Sequence, residues 1–255
     1  MTEIVRDRLR TVVLQDRPAM GAAAAVYASD RLRELLAARP RVRVIFAAAA
    51  SQAEFLAALA QAEGLDWGRV DAFHLDEYIG LAVGHERSFG TWLDRHIWSL
   101  VHPGRVERIN GGNPAGAKVE AARYGALLAD GGIDLALVGV GENGHVAFND
   151  PHVADFEDPA RVKPVEIDDT SRHQQVRDGA FDRFEDVPRI ALSVTMSTIL
   201  ACRVISLVVP GPQKAAAVAA MLDGPVTTAC PASVLRGHPD AVMFVDEAAA
   251  SQVSR

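Results

Sequence analysis

Short apolar runs rich in Val, Ile and Leu alternate with longer, Ala-rich stretches along almost the whole chain. The apolar runs fall at 42–48, 69–75, 133–140, 189–194, 203–209 and 241–245. Each is of strand length and close to continuously apolar, as expected for parallel strands buried on both faces. The intervening stretches predict helices over 19–38, 52–63, 87–99, 115–130 and 212–222, with helical turns near 195–201 and 231–235. Ala is the strongest helix former and lets a helix lie close to a sheet, so AMGAAAAVYASDRLRELLAA needs no functional explanation. The alternation predicts an α/β fold: an open, mostly parallel twisted sheet with helices on both faces, Rossmann-like in layout. One segment, 152–187, breaks the pattern by being polar and irregular. It is expected to be weakly structured, either as a lid over a site or as a solvated excursion.

Composition narrows this picture. With 255 residues, 49% hydrophobic and 23% charged, the chain is expected to form one domain spanning 1–255. The 26 Lys and Arg against 33 Asp and Glu give a net charge of -7, which disfavours nonspecific binding to nucleic acid or to an anionic membrane. A small anionic ligand held by a few local cations remains compatible with it. Cys202 and Cys230 are the only cysteines and suggest neither a disulfide framework nor a metal site. The start, MTEIVRDRLRTVVLQDRP, has no apolar signal core, and no apolar run reaches membrane-spanning length, so a cytoplasmic protein is expected.

Candidate chemistry gathers at three strand ends, where open α/β sheets bind ligands. After the first, Ala48-Ala49-Ala50-Ser51 leads into a helix. Its free N–H groups and the Ser51 hydroxyl can hold a phosphate, or Ser51 can simply cap the helix. After the second, AFHLDEYIG places Asp76 and Glu77 directly behind an apolar strand. A carboxylate there is partly desolvated, which raises its pKa and suits it to moving a proton on carbon. The third, LALVGVGENGHVAFNDP, carries Gly139, Gly141 and Gly144 in a G-x-G-x-x-G pattern. A dinucleotide site needs the last glycine to open a long helix, whereas Val146, Phe148 and Pro151 oppose one here. The same turn delivers His145, with Asp150 near enough in sequence to orient its imidazole.

Taken in order, FHLDEYIG, VGVGENGHVAFNDP, SRHQQVRDGAF and VVPGPQKAAAV resemble the glucosamine-6-phosphate deaminase/isomerase family. The similarity runs from about residue 20 to Asp246-Glu247. It implies conversion of a 2-amino-2-deoxyhexose 6-phosphate and water into a ketohexose 6-phosphate and ammonia, with no cofactor and no metal. By the same resemblance, Asp76 is the base moving a proton between C2 and C1, and His145 assists opening of the pyranose ring. Asp150 supports that histidine, and Lys214 binds the substrate phosphate. Ser51, Gly144 and Glu77 are further candidates for substrate contact. Arg172 and Arg177 compete for the family's phosphate-binding arginine, and Arg172 is the preferred assignment.

The departures from the family pattern bear on specificity. Asn143 stands where the best-known deaminases carry aspartate, and Asp150 is one methylene shorter than their glutamate. Asparagine accepts a hydrogen bond but bears no charge, so an altered ring-opening step or a different amino-sugar epimer is expected to remain open. AAAASQ replaces a threonine- and glycine-rich phosphate turn. Arg161 and Lys163 resemble the basic pair of an allosteric site found in some members, yet Val153 falls near the serine of that site, so the same activation is not expected. Monomers and hexamers both occur in the family, which leaves a homo-oligomer open. Two alternatives stand beside the deaminase: a 6-phosphogluconolactonase-type hydrolase and a noncatalytic sugar-phosphate sensor. The lactonase pattern has an acid-arginine pair where this chain has Asp76-Glu77-Tyr78. A sensor usually adds a DNA-binding domain, for which the ~40 residues before the first strand leave little space.

Overall fold

In a computed structural model, residues 1–82 and 84–254 are described. The amino terminus forms a hairpin of β1 (Thr2–Arg6) and β2 (Leu9–Leu14), with Asp7 in the left-handed region at φ 52°. Then follow α1 (Arg17–Ala38), β3 (Val42–Phe46), α2 (Ala53–Ala60), β4 (Val70–His74) and β5 (Asp76–Tyr78). A continuous helix starts as α3 (Phe89–Leu93), widens into a π turn at Asp94–Trp98 and ends as α4 (Ser99–Val101). The chain continues through β6 (Arg105–Val106), α5 (Ala117–Ala129), β7 (Leu135–Val138), β8 (Val162–Glu166), α6 (Asp169–Arg177), β9 (Ile190–Val194) and α7 (Met196–Leu200). It closes with β10 (Val204–Val209), α8 (Ala215–Asp223) and β11 (Ala241–Asp246).

Eight strands form the main sheet in the order β1-β2-β11-β10-β7-β3-β4-β6, parallel except for the β1–β2 edge hairpin. Alternate residues of each strand feed two cores. Val44, Phe46 and Val208 face α1 and α2 through Met20, Leu32 and Phe55. Ile45 and Leu207 face α5 and α8 through Tyr124, Leu128, Val218 and Met221. This two-sided burial is why the strands read as unbroken apolar runs. Among the described residues no helix is long and apolar enough to cross a membrane.

Two expectations are corrected. The run at 189–194 is not a strand of the parallel sheet: β9 pairs antiparallel with β5 and β8 in a separate three-stranded sheet. A buried apolar run has the same pattern in either setting, so periodicity cannot distinguish them. The segment 152–187 is not weakly structured. It contains β8 and α6, and Asp168 caps α6 by accepting from Thr170 N at 2.7 Å. Its polarity misleads because α6 turns polar groups inward, burying Ser171, Arg172 and Gln174. The amino-terminal hairpin has only a plain Asp-Arg pair between its strands and carries no glycine turn signal in the sequence.

The passage from β4 to β5 positions the site. Strand β6 pairs with β4 only at Asp71 and Ala72, so the main-chain groups of His74 lie beyond that ladder. The buried Tyr124 hydroxyl on α5 serves them instead, accepting from His74 N at 2.9 Å and donating to His74 O at 3.0 Å. The chain then leaves the main sheet for the small one. Tyr124→Phe should therefore strand a buried N–H and a buried carbonyl and lower stability by about 1–3 kcal/mol in urea unfolding. An unchanged unfolding midpoint would show that this hydroxyl is not what secures the crossing.

Candidate active site

The winding of the main sheet reverses between β3 and β7: the chain runs outward from β3 to β4 and β6, and the opposite way from β7 to β10 and β11. Loops leaving the carboxyl ends of β3 and β7 therefore diverge and open a crevice, the usual ligand position in such sheets. Its walls include Ala48 and Ser51 after β3, Asp76 from β5, Gly139 and His145 after β7, and Gln175 from α6.

Asp76 opens β5 and is 8% exposed. Its carboxylate has no hydrogen-bond partner among the described residues, while its main chain is held firmly. The imidazole of buried His74 donates from Nδ1 to Asp76 O at 2.8 Å and accepts at Nε2 from Ile109 N at 2.8 Å. Burial pushes the His74 pKa down to about 4, so the ring stays neutral, and the Ile109 donor fixes its tautomer. Burial also pushes the Asp76 carboxyl well above the usual carboxylate range, and the charge of Glu77 adds to this. An acid kept desolvated and unpaired is a poised proton acceptor.

Glu77 points elsewhere, because successive strand residues face opposite sides. Its carboxylate accepts from Tyr78 N, Phe89 N and Gly90 N, each at 3.0 Å, and caps the start of α3. Where the sequence suggested a substrate contact, the structure gives Glu77 the task of anchoring a helix. Burial raises its pKa to about 7 despite those three backbone donors.

His145 sits in the turn after β7, which is fastened to β9 by Phe148 N donating to Ser193 Oγ at 3.1 Å and by Asn149 Nδ2 donating to Val194 O at 2.8 Å. The turn is tight enough to force Ala147 to φ 52°. Three acceptors surround His145 Nδ1: Asn143 Oδ1 at 2.7 Å, Ser171 Oγ at 2.8 Å and Asp150 Oδ1 at 3.1 Å. This crowd of acceptors places the proton on Nδ1 and leaves Nε2 as the free acceptor. Asn143 also donates from Nδ2 to Asp150 Oδ1 at 2.9 Å, so it bridges the histidine and the acid. Asp150 is fully buried, which by itself raises its pKa. Hydrogen bonds from His145, Asn143 and Ser171 outweigh this and hold it well below the usual carboxylate range.

Gly144 is corrected as well. Its N–H is committed to Gly141 O at 3.1 Å, and its positive φ of 83° and packing against Cys230 make it a turn residue. The glycine that matters is Gly141, which the sequence offered only as part of a dinucleotide decoy. A Cβ at Gly141 would fall 2.0 Å from His145 Cε1, so the imidazole fills the space that glycine leaves. At Gly139 a Cβ would lie 2.9 Å from Gln52 Nε2, which crosses there to Val208 O. Ser51 lines the crevice and accepts from Gln52 Nε2 at 3.2 Å, but it makes no capping bond to either adjoining helix.

The preferred arginine changes. Arg172 is 5% exposed and turned away, donating to Asp169 Oδ1 and to the carbonyls of Phe184 and Val187, with its guanidinium 3.9 Å from the Phe184 ring centroid. Five residues along α6, Arg177 lies on another face and pairs with Glu142. It also contributes to the field at Lys214. Lys214 stands just before α8, is 6% exposed and makes no ion pair among the described residues. Burial lowers its pKa to about 8, opposed by Asp178 and Glu142 and reinforced by Arg177. It lies outside the walls of the Asp76 crevice, beside the Glu142–Arg177 pair that adjoins them. The turn before it is held by Asp246, whose two oxygens each accept from Gly211 N at 3.0 Å. Lys163, one of the two residues that resemble the basic pair found in some members, is occupied by Asp158 at 2.6 Å and Val153 O at 2.8 Å. Among the described residues no three His, Cys, Asp or Glu side chains converge as metal ligands.

The fold is an open α/β sheet whose crevice is lined by a buried, unpaired acid and a tautomer-fixed histidine, with a desolvated lysine outside its walls. A family model described as glucosamine-6-phosphate isomerases/6-phosphogluconolactonase matches residues 15–244, and the chain belongs to that family. Among its relatives, a glucosamine-6-phosphate deaminase of Pseudarthrobacter chlorophenolicus is 37% identical over 231 residues, covering 88% of this chain and 86% of the relative. One of Arthrobacter sp. (strain FB24) is 36% identical over 255 residues, covering 96% and 93%. A solved monomeric glucosamine-6-phosphate deaminase superposes with a TM-score of 0.87 at 28% identity, covering 95% of this chain and 99% of that one. The 6-phosphogluconolactonase of Thermotoga maritima shares the fold, with a TM-score of 0.74 at 17% identity over 92% and 98% of the two chains.

Because the His145 ring occupies the Cβ position of residue 141, Gly141→Ala should displace it, cost about 1–3 kcal/mol of stability and shift the His145 ring resonances in NMR spectra. Wild-type stability with unshifted His145 resonances would contradict the packing described.

Proposed function

We propose that this protein isomerises and deaminates a 2-amino-2-deoxyhexose 6-phosphate, glucosamine 6-phosphate or an epimer, to a ketohexose 6-phosphate and ammonia. The observation that carries the proposal is the unpaired, buried Asp76 carboxylate lining the same crevice as His145, whose Nδ1 is engaged. His145 Nε2 takes the proton of the anomeric hydroxyl and returns it to the ring oxygen, opening the sugar. Asp76 then removes the C2 proton as O1 gains a proton, giving an enolamine, and returns its proton to C1 as the nitrogen gives one up, leaving an imine at C2 and a hydroxymethyl group at C1. Water adds to that carbon and ammonia leaves. Lys214 and Arg177 hold the phosphate, with Ser51 and the N–H groups after β3 as further donors. Arg177 must exchange Glu142 for the phosphate as the substrate enters. The 152–187 segment acts as the cover of the crevice within a single domain, because α6 carries Gln174 and Gln175 to its wall. A dianionic sugar phosphate does not cross bilayers, which favours work in the cytoplasm.

Incubation with the 6-phosphates of glucosamine, galactosamine and mannosamine should release ammonia and a ketose phosphate from at least one. Folded protein that releases none from any of them would sink the proposal. Asp76→Asn should reduce kcat by about 10²–10⁴-fold, whereas Lys214→Ala should chiefly raise KM. Hydrolysis of a 6-phosphogluconolactone that survives Asp76→Asn, without ammonia release from any amino sugar, would favour the lactonase-type alternative, which needs no base at C2.

The pH profile follows from the two displaced groups. Asp76 must be ionised to accept a proton, and its pKa is raised, so activity should fall on acidification at a pH above the usual carboxylate range. Lys214 must be protonated to attract the phosphate, and its pKa is lowered to about 8, so kcat/KM should decline as pH rises through 8. Loss of that alkaline limb in Lys214→Arg would support the assignment; its persistence would place the limb on another group.

A further inference from the structure

Asn143 removes a charge from beside His145, and Ser171 offers a compensation. Its hydroxyl is buried, and it reaches the dyad from α6, 26 residues further along the chain than His145. Ser171 Oγ lies 2.8 Å from His145 Nδ1 and donates to Asp150 Oδ1 at 2.5 Å. With its one proton directed to the carboxylate, the oxygen presents a lone pair to Nδ1–H. Asn143 makes the corresponding bridge on the other side, accepting from Nδ1 through Oδ1 and donating to Asp150 through Nδ2. Two neutral side chains, each donor and acceptor at once, thus join one histidine to one buried carboxylate. Asp150 Oδ2 is engaged separately by Asp168 N at 2.9 Å, which ties the acid to the residue that caps α6.

We infer that Ser171 is a positioning residue for His145: it fixes the imidazole with Nδ1–H inward and Nε2 toward the crevice, doing with a hydroxyl bridge part of what a second carboxylate would otherwise do. The inference rests on the deaminase reading for its kinetic consequence, but not for the contact itself. A second carboxylate at 143 would sit within hydrogen-bond distance of Asp150, and two such acids cannot both stay ionised in a buried site. Neutral bridges avoid that conflict and keep the single charge on Asp150. Because Ser171 belongs to α6, His145 is fully oriented only while α6 is docked. The helix that brings Arg177 to the phosphate also completes the histidine's surroundings.

The test uses Ser171→Ala, which deletes the bridge, and Ser171→Cys, which keeps the packing but replaces the hydroxyl with a weakly bonding thiol. Both should lower kcat by about 10–100-fold with KM within about two-fold of wild type, the scale seen for groups that orient a functional histidine. Both should also speed exchange of the His145 Nδ1 proton with water, followed by NMR, while the melting temperature of Ser171→Cys stays near wild type. Wild-type kcat and proton exchange in Ser171→Cys would overturn the inference and leave only a packing role, as would an unaffected Ser171→Ala. If the unmodified protein releases no ammonia, the deaminase reading fails on its own, since proton exchange at Nδ1 reports the Ser171 contact without turnover.

Discussion

Everything in the site depends on keeping one carboxylate out of water without giving it a partner. A desolvated Asp76 is costly unless its surroundings hold it in place, and the fold does so through its main chain rather than its side chain. His74 donates to the Asp76 carbonyl, Ile109 fixes the His74 tautomer, and Tyr124 satisfies the His74 backbone where β4 leaves the sheet. A cationic partner beside Asp76 would stabilise the fold but quench the base. The cost is met by the two packed cores, which bury both faces of the main sheet.

Charge around His145 follows the opposite logic. Asp150 is fully buried and kept ionised by its donors, whereas Asp76 is buried and left without any. One carboxylate on the crevice and one buried behind its histidine therefore have pKa values pushed in opposite directions by hydrogen bonding rather than by depth. Such a split is how a single site runs acid and base steps together. The replacement of an aspartate by Asn143 fits this arrangement: the amide preserves both hydrogen bonds of a bridge while adding no second charge to a buried cluster.

Much of this was legible in the sequence because strand ends announce themselves. Asp76 and His145 both follow apolar runs, and the structure places both on one crevice, with Lys214 beside it. What stayed hidden involves contacts that no local pattern encodes. Gly141 looked like part of a cofactor loop, and its use appears only once His145 is seen lying in place of its side chain. Ser171 and Gln174 lie in a stretch whose polarity read as solvated, although they face inward. The choice between Arg172 and Arg177 was hidden for a related reason: SRHQQVRDGAF admits two alignments, and only the helix shows that residues 172 and 177 face different surroundings. Glu77 shares a motif with Asp76 but, on a strand, necessarily points the other way.

The central claim is that one crevice presents the C1–C2 edge of an open-chain sugar phosphate to Asp76 and its ring-oxygen side to His145. A crystal structure with an unreactive open-chain 2-amino-hexitol 6-phosphate tests it most directly. The account predicts the phosphate against Lys214 and Arg177, with Glu142 released, and C1 and C2 each about 3–3.5 Å from an Asp76 carboxylate oxygen. A ligand bound with its phosphate elsewhere, or with C2 beyond reach of Asp76, would contradict it.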